Sequence, residues 1–270
     1  MSSIESDPPL DPEQQYALEY VVHNLNDTTG GKKYFYVAGY AGTGKSHLLK
    51  QIMATLAPER ESLALAWTGI ASQILGGMTL VAFCGLEFDH TGHVADTGFM
   101  RCRSELTGRM IRGMTDRGLR QKIRDGKLLL VFDEIVAIHD SVLDALLAAF
   151  QDLRRGLIGC HEPFGGIPAV LSGDPCQLGR MELYGDSPKF PSSDYPTGYC
   201  WEGITWSHMA PDILYLQKFH RGGGSDTAYL NLLAEIRMKP REGGVPQFSP
   251  EALATLEKTR DRDGGKKKPM

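Results

Sequence analysis

Gly39-Tyr40-Ala41-Gly42-Thr43-Gly44-Lys45-Ser46 is the stretch that decides the fold. It has the spacing G-x-x-x-x-G-K-[S/T], in which glycines let the backbone curl until several N–H groups converge on an anion. Tyr34-Phe35-Tyr36-Val37-Ala38 before it is a short aromatic and β-branched run, the composition of a buried strand. Leu48, Leu49, Ile52, Met53 and Leu56 after it recur at helical spacing. A strand thus runs through a glycine-rich turn into a helix whose N-terminus adds partial positive charge. In that setting Lys45 reaches the β- and γ-phosphates of a nucleoside triphosphate and the Ser46 hydroxyl ligates Mg2+. Gly39, Gly42, Thr43, Gly44, Lys45 and Ser46 are the residues expected to hold the nucleotide.

A second stretch completes the chemistry. Leu128-Leu129-Leu130-Val131-Phe132 is an unbroken apolar run, the pattern of a strand covered on both faces in a parallel sheet, and it ends in Asp133-Glu134. Two adjacent acids at a buried strand's end are unfavourable unless a cation is present. Hydrolysis of a triphosphate needs one carboxylate to hold the metal and another to orient or deprotonate water. Asp133 suits the first role and Glu134 the second.

The remaining segments extend an α/β pattern, a parallel sheet flanked by helices. Asp11 and Pro12 read as the cap and first residue of a helix with Ala17, Leu18, Val21 and Val22 on its apolar face. Gln14 either presents its amide to an adenine edge or lies solvated on that helix. Strands are expected at Leu63 to Trp67, Ala169 to Ser172 and Ile213 to Leu216, with a helix carrying Val142, Leu143, Leu146, Leu147, Phe150 and Leu153. Thr68-Gly69 follows a strand on the edge where such sheets bind ligands, so its hydroxyl and N–H groups either grip a nucleic-acid phosphate or form a plain turn. Gln177 past the Ala169 strand lies on that same edge and could report the γ-phosphate.

Charge and cysteine content bound the alternatives. A net charge of −4 over 270 residues gives no global sign of a nucleic-acid partner, so that signal must be local. The local signal is the block from Arg101 to Lys127, with nine cations against Glu105, Asp116 and Asp125. It either follows a phosphate backbone or is a solvated helix face. Five cysteines with no C-x-x-C pair speak for a reducing compartment and against a disulfide framework or zinc site. Asp89, His90, His93 and Asp96 make a poor zinc pattern and read as a surface loop. A polar, acidic start and the lack of a long apolar run lead us to expect no membrane span and no secretion.

Taken together, the motifs resemble the PIF (petite integration frequency) family of DNA helicases in helicase superfamily 1. The resemblance covers residues from about 10 to 240. Leu10 to Gln14 resembles the family's adenine-recognising glutamine motif, and Gly39 to Ser46 its Walker A. Thr68-Gly69-Ile70-Ala71, and Gly76-Gly77-Met78-Thr79 with Phe83, resemble its motifs that contact single strands. Phe132-Asp133-Glu134-Ile135 is similar to motif II. Phe164-Gly165-Gly166 with Gly173-Asp174 and Gln177-Leu178 resembles motif III. Arg221, with Leu232-Leu233 and Ile236-Arg237, resembles motif IV, whose arginine contacts the nucleotide phosphates from a second lobe.

The resemblance implies a RecA-like ATP-binding lobe over residues 1–205 and the opening of a second lobe, with a polar tail, over 206–270. It implies an enzyme that uses ATP and Mg2+ to move 5′ to 3′ along single-stranded DNA and unwind duplex at junctions. Repair, recombination and telomere maintenance, in the nucleus or another intracellular compartment holding DNA, follow from the same likeness. Catalytic roles fall on Lys45, Asp133, Glu134, Gln177 and Arg221, and DNA contacts on Thr68, Gly69, Thr79 and Phe83. The departures are Trp67, Val81, Val136 and Gly222, together with the lack of segments resembling motifs V and VI. A nucleotide-binding module without unwinding activity is therefore the alternative. A small-molecule kinase is disfavoured, because it gains nothing from a residue that activates water.

Overall fold

The computed structural model describes residues 8–86, 103–177 and 198–220, together with residues 235, 249–251 and 253–254. Asp89, His90, His93, Asp96, Arg101, Leu178, Arg221, Gly222 and the Leu232–Leu233 pair lie outside the described residues. The chain divides into two compact units, Met1–Lys218 and Phe219–Met270. In the second, the Ser249 N–H donates to Glu235 Oε2 at 2.8 Å.

The first unit runs α1 (Pro12–Asn26), β1 (Tyr34–Gly39), α2 (Lys45–Leu56), β2 (Glu61–Ala66), α3 (Gly69–Ile74), β3 (Met78–Thr79) and α4 (Leu80–Cys84). It continues through α5 (Arg103–Asp116), α6 (Arg120–Asp125), β4 (Leu128–Asp133), α7 (Asp140–Leu153), β5 (Ala169–Gly173), α8 (Ile204–Met209) and β6 (Asp212–Leu216). The strands form one sheet in the order β3-β2-β4-β5-β1-β6, and every pairing is parallel. Because β6 pairs with β1 in register Tyr36 to Ile213, the first unit reaches Lys218 rather than ending at 205 as expected. An edge strand with Leu214 and Leu216 buried finds its hydrophobic partner in this sheet.

An all-parallel sheet must be covered on both faces, and β4 and β5 are buried along their whole length. Alternation sorts the side chains. Phe35, Val37, Leu129, Val131 and Val170 point to one face, where they pack with Leu48, Leu49, Ile52 and Leu56 of α2 and Ala17 and Val21 of α1. Tyr36, Leu130, Phe132 and Leu171 point to the other, against Leu143, Leu146 and Phe150 of α7 and Leu106, Met110 and Met114 of α5. Each of these fully buried apolar side chains contributes about 1.5–3 kcal/mol over an exposed one. Since α2 leaves β1 toward one face and α7 leaves β4 toward the other, the carboxyl ends of these strands frame a crevice.

Two features of the sequence find their place in this packing. Phe164, Gly165 and Gly166 hold φ of 49°, 63° and 83°, a left-handed turn ahead of the amino end of β5. Phe164 is wholly buried, stacked on Phe132 at 5.8 Å and edge-on to Phe150 at 5.9 Å. It is a core plug at the end of the strand opposite the crevice. The basic block forms α5 and α6, where Arg117 donates to the Gly113 carbonyl, Lys122 to Glu61 and Arg124 to the Leu153 carbonyl. Those three cations bind their own fold, while Arg103, Arg112, Arg120 and Lys127 lie exposed on its surface.

Candidate nucleotide-binding site

The glycine turn joins β1 to α2 at the carboxyl edge of the sheet. Gly42 and Gly44 take φ of 85° and 79°, the left-handed region where a Cβ is costly. Gly39 has no room for a side chain: a Cβ would lie 2.6 Å from Thr43 Oγ1 and 2.8 Å from the Leu216 carbonyl. Thr43 is buried, with its hydroxyl donating to the Tyr40 carbonyl at 2.9 Å, so it shapes the turn from within. No side chain caps α2, which leaves its first N–H groups for an anion. Lys45 Nζ donates to the Gly39 and Tyr40 carbonyls at 2.8 and 3.0 Å, which folds the cation over the turn.

Gln14 is 2% exposed, which rules out a solvated helix-surface role. Its amide oxygen accepts from the Asp11 N–H at 3.1 Å, and its Nε2 donates to the Thr43 carbonyl at 3.3 Å. Asp11 in turn accepts from the Glu13 and Gln14 N–H groups, so the capping box of α1 is also a brace on the turn. The amide is turned toward the protein's own backbone.

Asp133 ends β4 with its carboxylate 4% exposed and fully engaged. Its Oδ2 accepts from the Ser46 hydroxyl at 2.6 Å, and its Oδ1 accepts from the Ser172 hydroxyl at 2.5 Å and the Glu134 N–H at 2.9 Å. Ser46 and Asp133, far apart in the chain, thus bring a hydroxyl and a carboxylate oxygen together beside the open N-terminus of α2. Such a pair of hard oxygen donors fits Mg2+. Ser172 was missed in the motif reading, yet it is wholly buried and its hydroxyl positions Asp133. The signal was present: a polar side chain in a buried parallel strand needs a partner.

Glu134 has φ 52° and ψ 41°, a left-handed conformation that a residue with a Cβ adopts at a cost. Its Oε2 accepts from the Thr68 hydroxyl at 3.2 Å. Thr68 also caps α3 by accepting from the Ala71 N–H at 3.3 Å. A Cβ on the exposed Gly69 would meet nothing within 4 Å, so nothing in the fold itself requires glycine there. Thr79 accepts from the Ala82 N–H at 3.1 Å and caps α4. Phe83 corrects the expectation: it is wholly buried and stacked on Phe150 at 6.2 Å, because the Thr79 cap starts α4 with Leu80, Phe83 and Cys84 facing inward. It cannot face a DNA strand in this fold.

Gln177 lies exposed at the carboxyl end of β5, on the crevice edge, and donates to Asp174 Oδ2 at 2.8 Å. The departure at Val136 has a packing role, since a Cβ on Gly173 would come within 2.8 Å of Val136 Cγ1. Among the described residues no group of three or more His, Cys, Asp or Glu side chains forms a metal cage, and no helix is long and apolar enough to cross a membrane.

Comparison with known proteins agrees with the geometry. The sequence pattern of the PIF1-like helicase family matches residues 9–221. The ATP-dependent DNA helicase PIF7 of Trypanosoma brucei brucei is 34% identical over 232 residues, which is 85% of this chain and 20% of that protein. The crystal structure of the Pif1 helicase from Candida albicans superposes with a TM-score of 0.67 at 24% identity, over 93% of this chain and 47% of that one. The Bacteroides Pif1 helicase in complex with ADP-AlF3 and single-stranded DNA shares the fold with a TM-score of 0.59 at 20% identity, over 97% of this chain and 59% of that one. This chain thus spans about a fifth of the trypanosomal relative and half the length of the solved chains.

Proposed function

Because the chain belongs to the PIF1-like helicase family, we propose that it binds ATP with Mg2+ in the crevice and hydrolyses it as the nucleotide-handling lobe of a DNA helicase. The observation that carries this reading is the 2.6 Å contact between Ser46 of the glycine turn and Asp133 of β4. It supports the reading because a phosphate cradle and a metal-holding acid that serve one ligand must stand this close.

In this reading the turn and the first N–H groups of α2 bind the phosphates, and Lys45 swings from the Gly39 and Tyr40 carbonyls onto the β- and γ-phosphates. Mg2+ would be held by Ser46 and Asp133 and would neutralise charge on the phosphate oxygens. Glu134 accepts the proton of the attacking water or orients it. Gln177, on the same edge, senses the γ-phosphate, and a phosphate-contacting role for Arg221 rests on the family resemblance alone. Gln14 acts as a brace on the turn. Thr68, Gly69 and Thr79 face single-stranded DNA, and the freedom around Gly69 suits close approach of a phosphate from outside. Translocation 5′ to 3′, junction unwinding, roles in repair, recombination and telomere maintenance, and residence in the nucleus or another DNA-containing compartment rest on the family resemblance.

The test is phosphate release by the purified chain with Mg2+ and ATP, with and without a single-stranded oligonucleotide. We expect hydrolysis in the wild-type chain, its loss with weakened nucleotide binding in Lys45→Ala, and its loss with binding retained in Glu134→Gln. Release at the wild-type rate by both variants would sink the assignment.

A further inference from the structure

The hydrogen bond between Thr68 and Glu134 joins two residues that the proposed function uses for different purposes, DNA contact and water activation. Thr68 Oγ1 has one proton and gives it to Glu134 Oε2 at 3.2 Å, while its lone pair accepts from the Ala71 N–H at 3.3 Å. A DNA phosphate arriving at Thr68 would need that same proton. The phosphate and the Glu134 carboxylate are both anions, so they cannot share the hydroxyl at hydrogen-bond distance without repulsion. Glu134 is meanwhile held in a left-handed backbone conformation, a strained position at the junction of β4 and the crevice.

We propose that Thr68 is a positioning residue that holds the Glu134 carboxylate away from the attacking water until single-stranded DNA claims the Thr68 hydroxyl. The inference rests on the assignment of Glu134 as the water-activating group and of Thr68 as DNA-facing. Binding of a strand exchanges one acceptor for another at a single hydroxyl and frees the carboxylate. Without DNA the restraint keeps hydrolysis slow. The coupling needs no movement of the sheet, only the transfer of one hydrogen bond between an anion inside the chain and one outside it.

Three substitutions at Thr68 separate the restraint from the helix cap. Thr68→Val removes both donor and cap. Thr68→Asp keeps a good capping acceptor for the Ala71 N–H but at neutral pH has no proton to give and repels Glu134. Thr68→Ser keeps donor and acceptor. ATP turnover without DNA is measured for each, alongside affinity for a fluorescent ATP analogue as a check on folding. We expect turnover without DNA to rise at least roughly tenfold in Thr68→Val and Thr68→Asp, the lower end of the worth of one hydrogen bond to a charged group. Thr68→Ser should restore the restraint. The stimulation produced by a thymidine oligonucleotide should shrink in the first two by the same factor. The restraint is overturned if neither variant is faster than wild type. It is equally overturned if only Thr68→Val is faster, which would assign the effect to the cap, or if Thr68→Ser is as fast as Thr68→Val. Glu134→Gln in the same assay tells the two levels apart. If it is silent with nucleotide binding intact and the Thr68 variants are no faster, only the restraint fails; if it hydrolyses as wild type does, the reading of the site fails with it.

Discussion

Ser172→Ala deletes one oxygen atom and leaves almost no cavity, so its effect isolates a single hydrogen bond. That bond joins a wholly buried hydroxyl to a carboxylate that is 4% exposed, at 2.5 Å. Asp133 would keep the Ser46 hydroxyl and the Glu134 N–H, both on the crevice side, and would lose the one partner that anchors it to β5. Hydrogen bonds to buried charges contribute about 1.5–3 kcal/mol, which sets the expected loss in unfolding free energy by urea titration. The functional effect is separable. Residues that orient a metal-binding carboxylate typically change metal affinity by about 10- to 100-fold. We therefore expect the affinity for an ATP analogue in the presence of Mg2+ to fall at least about tenfold, while the affinity measured in chelator stays as in wild type. The chelator arm makes the experiment decisive, because a general loosening of the crevice would weaken both. Equal loss with and without Mg2+, or no loss with Mg2+ present, would refute the claim that Ser172 acts on the metal site through Asp133.

Phe164→Ala should cost about 3–5 kcal/mol in urea unfolding, since it empties the space between Phe132 and Phe150; a cost below about 1 kcal/mol would contradict the core-plug assignment. Gln14→Ala removes the amide that bridges the Asp11 N–H and the Thr43 carbonyl, so ATP and CTP affinities should fall by the same factor, whereas a loss confined to ATP would show that the amide reads the base instead. Alkylation followed by mass spectrometry at pH 8 should label the exposed Cys176 well before Cys84, Cys160 and Cys200. Burial pushes the Cys200 thiol up to about 12 and the Cys84 thiol higher still, so both stay protonated and unreactive at that pH; equal labelling would show that the core opens.

Much of the site is local in sequence and was legible there. A glycine turn that cradles an anion is built from consecutive residues, and its glycines report left-handed backbone directly, as Gly42 and Gly44 do. The apolar run into Asp133 announces a buried parallel strand by composition alone. Helix starts are equally local: Asp11 caps α1 at the expected residue. Phe83 was misread because a motif places a residue in the chain without saying which way its side chain turns. That direction is set by the Thr79 cap and by what lies beneath α4. The boundary at 205 failed for a related reason, since an alternating edge strand carries no mark of the sheet it will join.

The order of residues alone determined that a glycine turn between strand and helix, two adjacent acids and a parallel sheet with helices on both faces belong to this chain. These depend on backbone conformation and periodicity, which act over a few residues at a time. Only the tertiary structure decided which side chains meet: Ser172 beneath Asp133, Gln14 against the turn at Thr43, Thr68 across from Glu134. Each of those contacts joins residues 29 or more positions apart. They exist because strand order, which no local pattern encodes, sets β5 between β1 and β4 and so gathers their carboxyl ends around one crevice.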